Sequence, residues 1–154
     1  MPALFRGCTK DFFVGSFRPC RLQLVSVTPL APPDSHLLDA AIGWLGLGCA
    51  EDARAELANI SAANQNHPAV LEARWTISAH AQKWQEALLI AGAELVIAPN
   101  DAAGWLHRAY ALRRVQDGGL AKAWDALLPA AEKFPAEPII AYNLSCYALS
   151  LIHI

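Results

Sequence analysis

Charge is scarce in this sequence, and neither sign dominates. Lys and Arg number 12 against 14 Asp and Glu, charged residues make up 17% of the chain, and the formal net charge is −2. Proteins that bind nucleic acid carry a basic stripe, because phosphate contacts supply much of their affinity. No such stripe exists here, and the balance gives no general attraction to an anionic membrane. Long apolar runs are missing too: none approaches the roughly 20 residues of a membrane-spanning helix. The reading is therefore of no nucleic acid and no membrane. Cysteine is sparse. Cys8, Cys20, Cys49 and Cys146 form no CxxC pair and show no zinc-ligand spacing, so they read as reduced, mostly buried thiols.

Chemical signatures are equally absent. There is no GxGxxG, GxxxxGK[ST] or GxSxG segment, and no two histidines pair in HExxH fashion. His36, His67, His80, His107 and His153 are scattered and read as solvated or capping residues. The expectation is no catalytic residue, no cofactor and no metal. An enzymatic alternative needs Cys146 as a low-pKa thiol beside a histidine. At the N-terminus, "DFFVGSF" is broken by Asp11 and Gly15 and followed by Arg18 and Arg21. That makes a poor signal peptide and a cytoplasmic default address.

What is present is apolar and small. Hydrophobic residues, swollen by alanine and leucine, make up 55% of 154 residues. A chain of this length buries roughly 70% of its unfolded surface as one domain. Composition changes along it. Four of the five phenylalanines fall in the first 17 residues, and Pro29, Pro32 and Pro33 then favour an extended or polyproline-like linker. Residues 1–33 are expected to be an unstructured extension and linker. Two origins for residues 1–24 stand open: a flexible or docking extension, or non-native sequence upstream of a start near Val25 or Val27. Residues 34–154 form the expected domain, with Asp34 or Ser35 capping its first helix.

A stride of 34 residues organises that domain. "GCAEDARAEL", "QKWQEALLIA" and "GGLAKAWDAL" each place a turn before an apolar helix, aligning Ala53, Ala87 and Ala123. The second interval is two residues longer, and the "QDGG" loop at Gln116–Gly119 accommodates the insertion. Leu37, Leu71, Trp105 and Ala141 align in the preceding helices. The periodicity predicts helices at 35–46, 50–63, 68–81, 84–97, 101–115, 120–133 and 138–150, in units 34–66, 67–100, 101–136 and an incomplete 137–154. Pro68 suits a first helical turn and Asn100 a cap, while Pro129 should kink the sixth helix.

Leu71, Trp84, Ala87 and Pro99 of the second unit, Trp105, Ala109, Ala123, Leu127, Ala130 and Pro135 of the third, and "YNLS" at Tyr142–Ser145 carry a resemblance to the tetratricopeptide repeat family. The first unit adds Leu37, Ala41, Trp44, Gly48, Ala53 and Leu57. Trp75, where the family has glycine or alanine, and Arg74 and Arg108, where it has leucine, depart from the pattern. They make irregular packing between the second and third units an expectation. Small alanines let paired helices approach closely, and Trp44 and Trp84 are expected to fill grooves between hairpins.

The resemblance implies an all-α, α-α superhelix of about three helical hairpins plus one extra helix. It also implies a concave surface made by the first helices. That surface would carry Glu72, Thr76, Leu106, Tyr110, Arg113, Tyr142, Asn143 and Cys146, and would bind a protein or peptide partner. Only Asn143 matches the family's carboxylate clamp, so ligands of that class are not implied. In "HRAYALRR", Arg113 and Arg114 complement a helix macrodipole or recognise an acidic peptide. The closing "LSLIHI" resembles translated sequencing adapter rather than the polar second half of a fourth hairpin; the alternative is a true C-terminus in which Leu149, Ile152 and Ile154 extend the helix. Without a polar cap, the last helix is expected to expose an apolar strip and to self-associate. The alternative reading is an assembly subunit that stacks through its repeat ends.

Overall fold

The computed structural model describes residues 28–152, and the expectations for residues 1–27 and for His153 and Ile154 lie outside them. Among the described residues the protein is all-α. Helices α1 (Asp34–Gly46), α2 (Ala50–Ala58), α3 (Pro68–His80), α4 (Trp84–Ile97), α5 (Ala102–Leu112), α6 (Leu120–Lys133) and α7 (Pro138–Ile152) follow one another, with one 3-10 turn at Ala62–Asn64. Each helix packs against its successor, α2 and α3 least extensively.

The 34-residue stride is visible in the hydrogen bonds. After α1, Gly48 takes φ 79° and the Cys49 N–H reaches back to the Trp44 carbonyl at 2.9 Å; after α3, Gln82 takes φ 56° and the Lys83 N–H reaches the Ser78 carbonyl at 2.9 Å. Both are six-to-one closures around a left-handed residue, the common way to satisfy a helix's last carbonyls. After α5 the corresponding bond runs from the Gly119 N–H to the Leu112 carbonyl at 2.9 Å, enclosing two more residues. A Cβ on Gly118 would lie 1.8 Å from that carbonyl oxygen, so only glycine fits the longer turn. Ala53, Ala87 and Ala123 are each 0% exposed, and their N–H groups bond the carbonyls of Cys49, Lys83 and Gly119. The ends of α4 and α6 also match, with Ala98 at φ −129°, ψ 65° and Phe134 at φ −128°, ψ 63°.

Several expected boundaries move, each for a local reason. Asp34 is no cap: Pro33 occupies that position, and the buried Asp34 carboxylate accepts bonds from the Ser61 N–H (3.1 Å), the Ser61 hydroxyl and the Asn64 amide (2.7 Å). Those bonds draw Ser61 out of helical register. The Gln65 amide takes the Leu57 carbonyl at 3.2 Å, and α2 stops at Ala58 rather than 63. Asp101, not Asn100, caps α5 by accepting from the Ala103 N–H at 2.9 Å. Helix α5 ends at Leu112 rather than 115, where the turn captures the Leu112 carbonyl. Helix α6 continues through Pro129, which is exposed, as is Asp125, whose carbonyl the proline leaves without an intrahelical donor. Residues 28–33 are exposed except Leu30, which packs on the core of the first unit, and His67 Nε2, where the second unit begins, is 3.1 Å from the Thr28 carbonyl.

Three apolar clusters follow the chain. Leu38, Ala41, Ala53, Leu57, Ile60, Val70, Ala73 and Ile77 join α1, α2 and α3. Trp75, Ala87, Ala91 and Ala111 join α3, α4 and α5. Ala109, Ala123, Leu127, Ala130, Ile140, Leu144 and Tyr147 join α5, α6 and α7.

Candidate functional site

Helices α3, α5 and α7 carry seven of the eight expected contact residues, and Arg113 caps the C-terminus of α5; Glu72, Leu106 and Tyr142 share one repeat position, and Thr76, Tyr110 and Cys146 another. All are half-buried except Tyr142, which is exposed. Several are already engaged. The Thr76 hydroxyl donates to the Glu72 carbonyl at 2.9 Å, and the Asn143 amide donates to the Ile139 carbonyl at 2.8 Å. Leu106 packs against the α5–α6–α7 cluster. The Arg113 guanidinium lies 5.8 Å from the centre of the buried Tyr147 ring.

Tyr110 is the best-organised member. Its ring meets Trp75 edge-on at 5.9 Å and Trp84 edge-on at 5.8 Å. The Arg114 guanidinium lies 3.5 Å over it, and Arg114 Nη1 donates to the Tyr110 carbonyl at 2.9 Å. Arg114 thus satisfies a carbonyl of the last turn of α5, a favourable place for a cation. Trp84 is half-buried and reaches across to Tyr110 of the next unit. Trp44 remains 38% exposed and fills no groove completely.

Behind this face lies an arrangement that motif reasoning missed. His107 is not solvated: it is 1% exposed, its Nδ1 stands 2.8 Å from Oε2 of buried Glu94, and its ring stacks on Trp75 at 3.8 Å with a 9° interplanar angle. Ala87, Ala91 and Ala111 make room for the indole, so Trp75 is absorbed and α4 packs along α5 as fully as α3 along α4. Gly104 lets α5 approach, since a Cβ there would already be 3.3 Å from the Glu94 and Leu95 side chains. Glu72 senses the same cluster. Burial pushes its carboxyl above the ordinary 4.5; His107 opposes this, and Glu94 and Asp101 add to it. Glu94 and His107 are 13 residues apart, beyond any helical pairing rule. The one available signal was His107 standing 34 residues after buried Ala73.

The other expectations resolve singly. His67 caps α3, its Nδ1 accepting from the Ala69 N–H at 3.2 Å. Cys49 and Cys146 are unpaired, and half-buried rather than buried. Among the described residues no group of His, Cys, Asp and Glu is arranged to hold a metal, and no helix is long and apolar enough to cross a membrane. Compared with known proteins, the chain matches no family model, no curated protein and no solved structure.

Proposed function

We propose that the protein is a non-catalytic interaction module, a tetratricopeptide-like superhelix that binds a peptide or protein partner along the concave face of α3, α5 and α7. The observation that carries the reading is the repeat register of Glu72, Leu106 and Tyr142 beside Thr76, Tyr110 and Cys146, on helices whose turns repeat the same hydrogen bonds. Such a face binds with little ordering cost, because its scaffold is formed before the partner arrives. Tyr142 supplies an exposed aromatic anchor, and Arg113 a forked donor that can exchange its contact with Tyr147 for a partner carboxylate.

Peptides selected by display against the protein test this. Binding is expected to weaken at least about tenfold with Tyr142→Ala, a change typical of an aromatic anchor. Selected peptides that bind the variant unchanged, with its helicity intact, would remove this face from consideration.

A second reading, assembly through repeat ends, is favoured by the exposure of Leu149 (60%), Leu151 (38%) and Ile152 (77%) on α7. Light scattering separates the two: a mass that rises with concentration and falls with Leu149→Lys supports assembly.

A further inference from the structure

The face of α3, α5 and α7 carries charge of both signs, gathered at opposite ends of its helices. Glu72 lies early in α3, half-buried, and belongs to no ion pair with a lysine or arginine among the described residues. Its carboxyl is held above its ordinary value by burial first, and then by the like charges of Glu94 and Asp101; the His107 ring that opposes them is already bonded to Glu94 at 2.8 Å. Arg113 stands at the other end, just past the last turn of α5. Its guanidinium meets the Tyr147 ring at 5.8 Å and forms no ion pair among the described residues. Beside it, burial and the charge of Arg113 press the Arg114 guanidinium below its ordinary value, against Tyr110 and Tyr147.

Like charges gathered on a half-buried face oppose one another, and an opposite charge brought by a ligand relieves them. In repeat register Glu72 matches Leu106, and Arg113 stands two turns further along α5 on the same side. Two turns put the two levels about 10 Å apart along the helix axes, with Tyr110 between them. We infer, on the reading of α3, α5 and α7 as a peptide face, that its partner is a peptide of mixed charge: a lysine or arginine seated against Glu72 and, roughly three to five residues away in an extended chain, an aspartate or glutamate seated on Arg113. A peptide of one sign relieves one end of the face and crowds the other, so the arrangement selects against it. A cation at Glu72 favours the ionised carboxyl. Binding should therefore lower the Glu72 pKa, and affinity should fall as pH drops through the raised value of the free protein.

The probe is a peptide library displayed against the full chain, with one selected peptide resynthesised. Selected sequences are expected to carry both signs. Replacing the peptide's basic residue with Gln should weaken binding to the parent protein about fivefold or more and leave binding to Glu72→Gln nearly unchanged; replacing its acidic residue should behave the same way against Arg113→Gln. The Glu72 side-chain carboxyl resonance should titrate at lower pH in the complex. Peptides that weaken with Tyr142→Ala yet are uncharged or of one sign, additive effects in either cycle with both variants folded, or a Glu72 titration unmoved by the peptide would each overturn the mixed-charge partner and leave the peptide face standing. Peptides indifferent to Tyr142→Ala, or no enrichment at all, would remove the face and the mixed-charge partner with it.

Discussion

Where α3, α4 and α5 meet, Trp75 lies among three alanines and flat against His107, whose partner is buried Glu94. Where α5, α6 and α7 meet, alanine, leucine, isoleucine and Tyr147 fill the space. The two seams share a repeat and the backbone geometry that ends α4 and α6, yet one is built on a large ring and an ionisable pair and the other on close apolar packing. Turns fix how helices return. They do not fix what occupies the space between them, which is decided by volume and by whether each buried polar atom finds a partner. Ala41 and Ala109 occupy the Trp75 position in neighbouring units and are equally buried, so the same site takes alanine or tryptophan according to the volume opposite.

The sharpest way to break this comparison is to remove the ring. Trp75→Ala should cost about 4 kcal/mol, the middle of the range for truncating a buried aromatic, measured by urea unfolding. Leu127→Ala in the other seam should cost about 3 kcal/mol. A Trp75 loss below that of Leu127 would mean the first seam collapses as readily as the second. Next comes the ionisable pair. Glu94→Leu alone should cost about 3 kcal/mol by stranding His107 in the interior, whereas Glu94→Leu with His107→Phe should return close to the parent stability. If the single and double variants were equally stable, the two side chains would not be acting as a pair.

Smaller effects sharpen the contrast between repeated turns. Gln82 holds a left-handed conformation that its counterpart Gly48 adopts without penalty, so Gln82→Gly should stabilise by about 1 kcal/mol. A loss instead would show that the Gln82 side chain offsets the strain. The smallest change separates two carboxyls by pH. Hydrogen bonds from the Ser61 hydroxyl, the Asn64 amide and the Ser61 N–H hold Asp34 below its ordinary 3.8. Its contribution is present above that value and lost as pH falls through the lower folded-state value. Glu72 is shifted up by burial, so its ionisation removes stability as pH rises from 4.5 through the elevated value. At pH 7, Glu72→Gln should therefore raise stability by less than about 1 kcal/mol. Asp34→Asn should lower it, and that deficit should shrink in acid; unfolding curves at pH 7 and pH 3 check both signs.

Much of the helical layout was legible because it rests on local rules. Apolar spacing, Pro68 at a first turn and Gly48 and Gly119 at turns act within a few residues, and the alignment of Ala53, Ala87 and Ala123 predicted equivalent burial that the structure bears out. The early stop of α2 was not legible. It depends on Asp34 bonding Ser61 and Asn64 across about 30 residues of chain. The register of Glu72, Leu106 and Tyr142 was readable for the same reason as the helices. That Tyr110 would be held between two indoles and beneath Arg114 was not, since positions from three helices and Arg114 of the turn after α5 converge there.

The sequence by itself determined an all-α chain of regularly spaced helices and turns, because hydrophobic period, proline and glycine act on neighbouring residues. Tertiary structure alone decided that His107 lies inside against Trp75 and Glu94, and that Asp34 serves as a clamp rather than a cap. Each of these depends on groups distant in sequence coming within a few ångströms, where burial and hydrogen-bond satisfaction override what any single residue type prefers.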